Sequence, residues 1–219
     1  MRARERWVAL HLALWMVALG AVAGARGAFA QGAPTTPAPS IPSDFANPFV
    51  EKVKVIREFD GDSAGDQFGW IARSIGDVDH DGVTDFVTSA PTRGSRGANA
   101  GCVYAYSTRT GKLLWSVDGM PGEQLGTGLE SAGDVDGDGT QDVIAGAPYS
   151  GRTYIYSGKD GHVLFTLNAE KKADAFGLHV STAGDVDRDG HADFIVGAPA
   201  NGAGGANAGR AYVYSGRDG

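Results

Sequence analysis

The stretch Asp134-Val135-Asp136-Gly137-Asp138-Gly139-Thr140-Gln141-Asp142 occurs three times with small changes. Its other copies are Asp77-Val78-Asp79-His80-Asp81-Gly82-Val83-Thr84-Asp85 and Asp185-Val186-Asp187-Arg188-Asp189-Gly190-His191-Ala192-Asp193. Carboxylates fall at positions 1, 3, 5 and 9, with Gly at position 6. Carboxylates crowded this closely repel one another unless a cation sits among them. Oxygen ligands wound tightly round one point suit a hard ion such as Ca²⁺, and Mg²⁺, with its small octahedron and retained waters, fits less well. Gly at position 6 permits the sharp turn, and the carbonyl of position 7 offers one more oxygen. The expected ligands are thus Asp77, Asp79, Asp81, Val83 and Asp85 in the first loop. They are Asp134, Asp136, Asp138, Thr140 and Asp142 in the second, and Asp185, Asp187, Asp189, His191 and Asp193 in the third, one Ca²⁺ per loop. An EF-hand is excluded, because its twelfth position needs Glu where Thr88, Ala145 and Val196 stand.

The sequence around the loops repeats as well. Phe68-Gly69, Leu125-Gly126 and Phe176-Gly177 precede them; Ser89-Ala90-Pro91, Gly146-Ala147-Pro148 and Gly197-Ala198-Pro199 follow. Next come Tyr104 and Tyr106, Tyr154 and Tyr156, and Tyr212 and Tyr214, alternating with small or β-branched residues as strands do. A Gly/Ala/Asn-rich insertion separates Pro from Tyr in the first and third units (residues 93–100 and 201–208) and is missing from the second, which marks a loop on one face of a repeat array. Each unit reads as four short strands, the pattern of a β-propeller blade. The expected fold is all-β, with blades at about 62–118, 119–168 and 169–219. Residues 51–60 resemble a fourth strand with no blade before it, and the sequence ends where the last fourth strand should begin. That matches a ring closed by its N-terminal strand. Three blades make an incomplete ring, since rings typically hold four to eight, so further blades are expected from chain beyond Gly219 or from another chain.

Of 219 residues, 34 are Gly, and the 26 acids divide into 20 Asp and 6 Glu. Asp and Gly favour turns, caps and metal loops, whereas Glu favours helix interiors, so a helical bundle is excluded. Arg2, Arg4 and Arg6, the apolar run Trp7–Ala25 and the A-x-A site Ala28-Phe29-Ala30 read as a signal peptide over residues 1–30. An uncleaved anchor is the competing reading, the run being nearly long enough to span. Residues 31–50, with Pro at 34, 37, 39, 42 and 48, read as an extended spacer. Cleavage would remove four Arg and one Glu, taking the net charge from −7 to −10. So acidic a chain excludes nucleic acid as a partner, and no membrane span is expected after cleavage. Cys102 is the single cysteine, so no intrachain disulfide can brace the fold.

These residues resemble the FG-GAP repeat, found in the N-terminal propeller of integrin α chains and in bacterial surface and secreted proteins. Phe68-Gly69 and Phe176-Gly177 carry the first half of that name, and Gly146-Ala147-Pro148 and Gly197-Ala198-Pro199 the second. Leu125 replaces Phe in unit two and Ser89 replaces Gly in unit one. The resemblance implies a propeller with a calcium loop in each blade, exported to the cell surface, the extracellular space or the periplasm. It would recognise a protein or cell-surface glycan, in adhesion or scaffolding, without catalysis. Two other readings compete. One is the non-catalytic part of a longer secreted hydrolase. The other is a quinoprotein-like enzyme, suggested by Val103–Ser107 with Thr110–Trp115 but lacking the Asp loops of this chain.

Overall fold

A computed structural model describes residues 54–219; the expected signal peptide, spacer and first residues of the closing strand lie outside them. The described chain forms three antiparallel sheets. The first contains β1 (Ala72–Gly76), β2 (Asp85–Ala90), β3 (Cys102–Tyr106) and β4 (Leu113–Asp118) in that order. The second repeats it with β5 (Gly128–Gly133), β6 (Asp142–Ala147), β7 (Arg152–Tyr156) and β8 (Val163–Asn168). The third holds β9 (Val180–Gly184), β10 (Asp193–Ala198) and β11 (Arg210–Tyr214). The only helical element among the described residues is a 3-10 turn, Lys172–Asp174. The fold class is therefore all-β, with sheets of the shape that propeller blades take.

Gly69 to Ile75 reads in the sequence as the first strand of the first unit, yet the β1 ladder starts only at Ala72, although the N–H of Trp70 already donates to the Ser89 carbonyl at 3.2 Å. Residues 54–60 form no strand, although the sequence there resembles one. Their side chains nevertheless stand where a preceding sheet would put its outer strand. Phe59 packs on Phe86 (4.9 Å between centroids) and Tyr106 (5.0 Å), as Phe165 of β8 packs on Phe194 of the next sheet (6.2 Å). The Arg57 guanidinium donates to the carbonyls of Thr108, Arg109 and Thr110, the turn after β3.

Alternation along each strand divides the core into two layers. Val143 and Ala145 of β6 and Tyr156 of β7 join Val87, Val103, Ala105 and Trp115 between the first and second sheets. Ile144 and Ile155, on the opposite face, join Phe194, Val196 and Phe176 between the second and third. The middle sheet is thus buried on both faces, and β6 is buried along its whole length. The paired tyrosines stack in register, Tyr154 on Tyr156 at 5.8 Å and Tyr212 on Tyr214 at 6.0 Å. Phe68 and Phe176 meet Tyr104 and Tyr212 edge-on at 5.4 and 5.6 Å, while the smaller Leu125 is fully buried in the corresponding layer.

The two halves of the repeat signature meet in space. The N–H of Gly126 donates to the carbonyl of Gly146 and that of Gly177 to the carbonyl of Gly197, both at 3.0 Å. Across the sheets, a Cβ on Gly146 would fall inside contact distance of the Gly177 carbonyl oxygen. Glycine stands there because backbone of the next unit occupies the space a side chain would need. In the first unit Ser89 takes that position, and its Cβ faces Gly126, which has no Cβ of its own to meet it.

Candidate metal centres

Each Asp loop is the connection between the first and second strands of its sheet. A pair of Gly and position-9 Asp closes it: Gly76 opposite Asp85, Gly133 opposite Asp142, Gly184 opposite Asp193. A register shift just before each pair bends the strand into the loop. Position 6 has φ of 85°, 89° and 93° at Gly82, Gly139 and Gly190, left-handed values that glycine adopts freely. Position 4 is left-handed too, although His80 and Arg188 occupy it in two of the three loops.

The position-9 carboxylates are buried at 1%, 0% and 0% exposure and tied to backbone. Asp142 Oδ2 accepts the N–H groups of Val135 (2.7 Å) and Asp136 (3.3 Å), and its Oδ1 that of Gly158 (2.9 Å). Asp85 repeats this with Val78, Asp79 and Thr108, and Asp193 with Val186 and Gly216. The residue therefore struts the loop against the turn after the third strand. Burial pushes the Asp142 carboxyl up to about 6, against the pull of these N–H donors. The position-1 carboxylates face inward and accept N–H groups of the loop itself, Asp77 from Asp81 and Gly82 at 2.9 and 2.8 Å.

The fold brings positions 1, 3 and 9 together. One oxygen from each of Asp77, Asp79 and Asp85 lies within 4.8 Å of the others, and the same holds for Asp134, Asp136 and Asp142 and for Asp185, Asp187 and Asp193. Position 5 stands beside these trios rather than in them. Asp81, Asp138 and Asp189 each accept the N–H of position 7, at 2.9, 2.8 and 2.9 Å. The other oxygen of Asp81 is buried without a partner among the described residues. Arg109 approaches Asp81 at 3.3 Å and Lys159 approaches Asp138 at 3.8 Å. Desolvation and the neighbouring carboxylates hold Asp187 above its ordinary value. Converging carboxylates, an orphaned buried oxygen and an all-oxygen donor set fit a hard divalent cation.

Sequence reasoning missed two features. His191 does more than offer a carbonyl, for its Nδ1 lies 2.7 Å from the Val135 carbonyl and joins the third loop to the second. A clasp also recurs above the sheets. Glu123, 3% exposed, accepts from Arg152 and from the Tyr154 hydroxyl, both at 3.0 Å. Glu170 accepts from Arg210 and from Tyr212 (3.0 Å) in the third unit. In the first, Cys102 stands where the others carry Arg, and Arg93 reaches in from the insertion instead. It meets Asp62 at 2.9 Å, Cys102 Sγ at 3.4 Å and the Tyr104 ring at 5.2 Å. The Arg152 and Arg210 positions were visible in the sequence, but nothing there paired them with acids in the connections between sheets.

The FG-GAP repeat profile matches residues 68–106, 130–164 and 176–214, one segment in each sheet and together more than half of the chain. The chain belongs to the FG-GAP repeat family. Its relatives include integrin alpha-6 of Gallus gallus, 30% identical over 153 residues, which are 64% of this chain and 14% of that protein. Integrin alpha-E of Mus musculus is 30% identical over 172 residues (67% and 15%). Integrin alpha-PS5 of Drosophila melanogaster is 29% identical over 167 residues (68% and 16%). The matched part of the chain thus spans about one seventh of the length of these relatives. No helix among the described residues is long and apolar enough to cross a membrane.

Proposed function

We propose that this FG-GAP chain is an exported, calcium-stabilised adhesion or scaffolding module that binds a protein or cell-surface glycan and performs no catalysis. The observation that carries the cation reading is the convergence of three Asp oxygens in each of three loops. The likeness to integrin α chains supports the adhesive role.

The ligands proposed for each Ca²⁺ are the trio at positions 1, 3 and 9, with positions 5 and 7 completing the shell. The buried, unpartnered Asp81 oxygen is the kind of group that would turn to the ion. A bound cation relieves the repulsion within each trio and holds the first hairpin of each unit closed. It takes the role that disulfides play in many exported domains, which Cys102 alone cannot. At a dissociation constant on the order of 10⁻⁴ M and about 2 mM Ca²⁺, linkage gives roughly 1.8 kcal/mol per site. Thermal unfolding in 2 mM Ca²⁺ and in excess chelator tests the proposal. The melting temperature should rise with calcium and fall back on chelation, and an unchanged value would overturn a structural role for the ion.

A further inference from the structure

A cleft of about 400 Å³ opens between β4 of the first sheet and β7 and β8 of the second, with no residue of the Asp loops in its lining. Val117 and Met120 give one wall an apolar surface, and Tyr154 and Tyr156 line the other. Tyr156 is only 4% exposed as a whole and lines the cleft, and its hydroxyl, which is not sealed from solvent, makes no side-chain hydrogen bond among the described residues. Burial holds that phenol well above its ordinary value, so it remains a donor. Ser116 and the half-exposed His162 also line the cleft.

The charges in the cleft are already matched within the protein. Asp118 accepts from the Ser95 hydroxyl at 2.6 Å and has Arg93 and Arg96 at 3.8 and 4.0 Å. Glu123 is held by Arg152, by Tyr154 and by the N–H of Met120 at 2.8 Å, which leaves one of its roughly four acceptor positions open. An anion entering here would meet two carboxylates, and a cation would compete with arginines already in place. A neutral ligand rich in hydroxyls meets neither cost. Its O–H groups can both donate to the carboxylates and accept from Tyr156, while its C–H surface lies against Val117 and Met120.

We propose that this inter-sheet cleft is a binding site for a neutral saccharide, one or two sugar rings in size. It rests on the glycan reading of the proposed function, and no residue of the cation loops lines it, so a chain that fails to bind sugar can still bind calcium. Saturation-transfer NMR on the full chain in calcium, with the methyl glycosides of glucose, galactose, mannose and N-acetylglucosamine, tests it. At least one should bind, and Tyr156→Phe, which keeps the ring and removes the unpartnered hydroxyl, should weaken it by about five-fold. His162→Ala, at an exposed position, should weaken it too. Tyr214→Phe, the counterpart in the third sheet, should leave it unchanged. Absence of transfer from every glycoside, affinity unaltered in Tyr156→Phe, or binding confined to charged probes such as glucuronate or glucosamine would overturn the proposal.

Discussion

His191 Nδ1 lies 2.7 Å from the carbonyl oxygen of Val135, so a side chain of the third Asp loop is bonded to the backbone of the second. Two candidate cation sites on different sheets thereby share a contact. Replacing His191 with Ala should lower stability by about 1 kcal/mol, the net worth of one hydrogen bond. It should also remove coupling between the second and third ions. Calorimetric titration of calcium into wild type and variant checks this. Identical isotherms and melting temperatures would mean that the contact does not join the sites.

Asp136 and Asp142 share a loop but differ in their work. Asp142 satisfies three backbone N–H groups and is fully buried, whereas Asp136 is exposed and brings one oxygen within 4.8 Å of those of Asp134 and Asp142. Asp142→Ala should therefore destabilise the protein with or without calcium, by about 3 kcal/mol, because buried donors lose their acceptor. Asp136→Ala should matter only in calcium, and metal analysis should find about one ion fewer per chain. Equal destabilisation by both variants in chelator would contradict the division into strut and ligand.

Gly146 abuts the Gly177 carbonyl of the next unit. Gly146→Ala should cost about 1–3 kcal/mol by overpacking. Gly139→Ala, at left-handed φ in open space, tests backbone strain alone and should cost less. Denaturant unfolding midpoints give the comparison.

Burial raises the Cys102 thiol to about 11, and Arg93 opposes the shift only in part. A raised pKa means that the unfolded chain loses the proton first. The stabilising contribution is whole below pH 9 and is lost as pH rises through about 11. Urea midpoints should fall between pH 8 and 10.5, less steeply in Cys102→Ser. Iodoacetamide at pH 8 should label the thiol slowly until denaturant is added.

The sequence carried the repeat, the strands and the loops because each depends on local chemistry. Positive φ needs Gly139, alternation shows in Thr153–Tyr156, and closely spaced Asp residues mark a turn. What it could not carry were pairings across sheets. The sequence showed carboxylates of equal standing at positions 1, 3, 5 and 9, but three dimensions separate the buried strut Asp142 from the converging Asp134 and Asp136, and from Asp138 beside them. Likewise His191 is an ordinary position-7 residue until the neighbouring sheet brings Val135 alongside. Residues 54–60 show the converse. They look like a strand, but a strand needs an edge to pair with, and only Phe59 and Arg57 find partners here.

Residues 119–125 belong to one sheet by backbone and to another by side chain. Gly119, Gly122, Gln124 and Leu125 donate their N–H groups to the residue 98–101 turn of the first unit, while Glu123 reaches forward to Arg152 and Tyr154 of the second. The repeat in the sequence is therefore out of phase with the piece of protein that holds together. A copy inserted at any point between repeats inherits either the anchor or the hook, and must find its missing half in its new neighbour. Under tension along the chain, these seven residues would transmit the load from one sheet to the next.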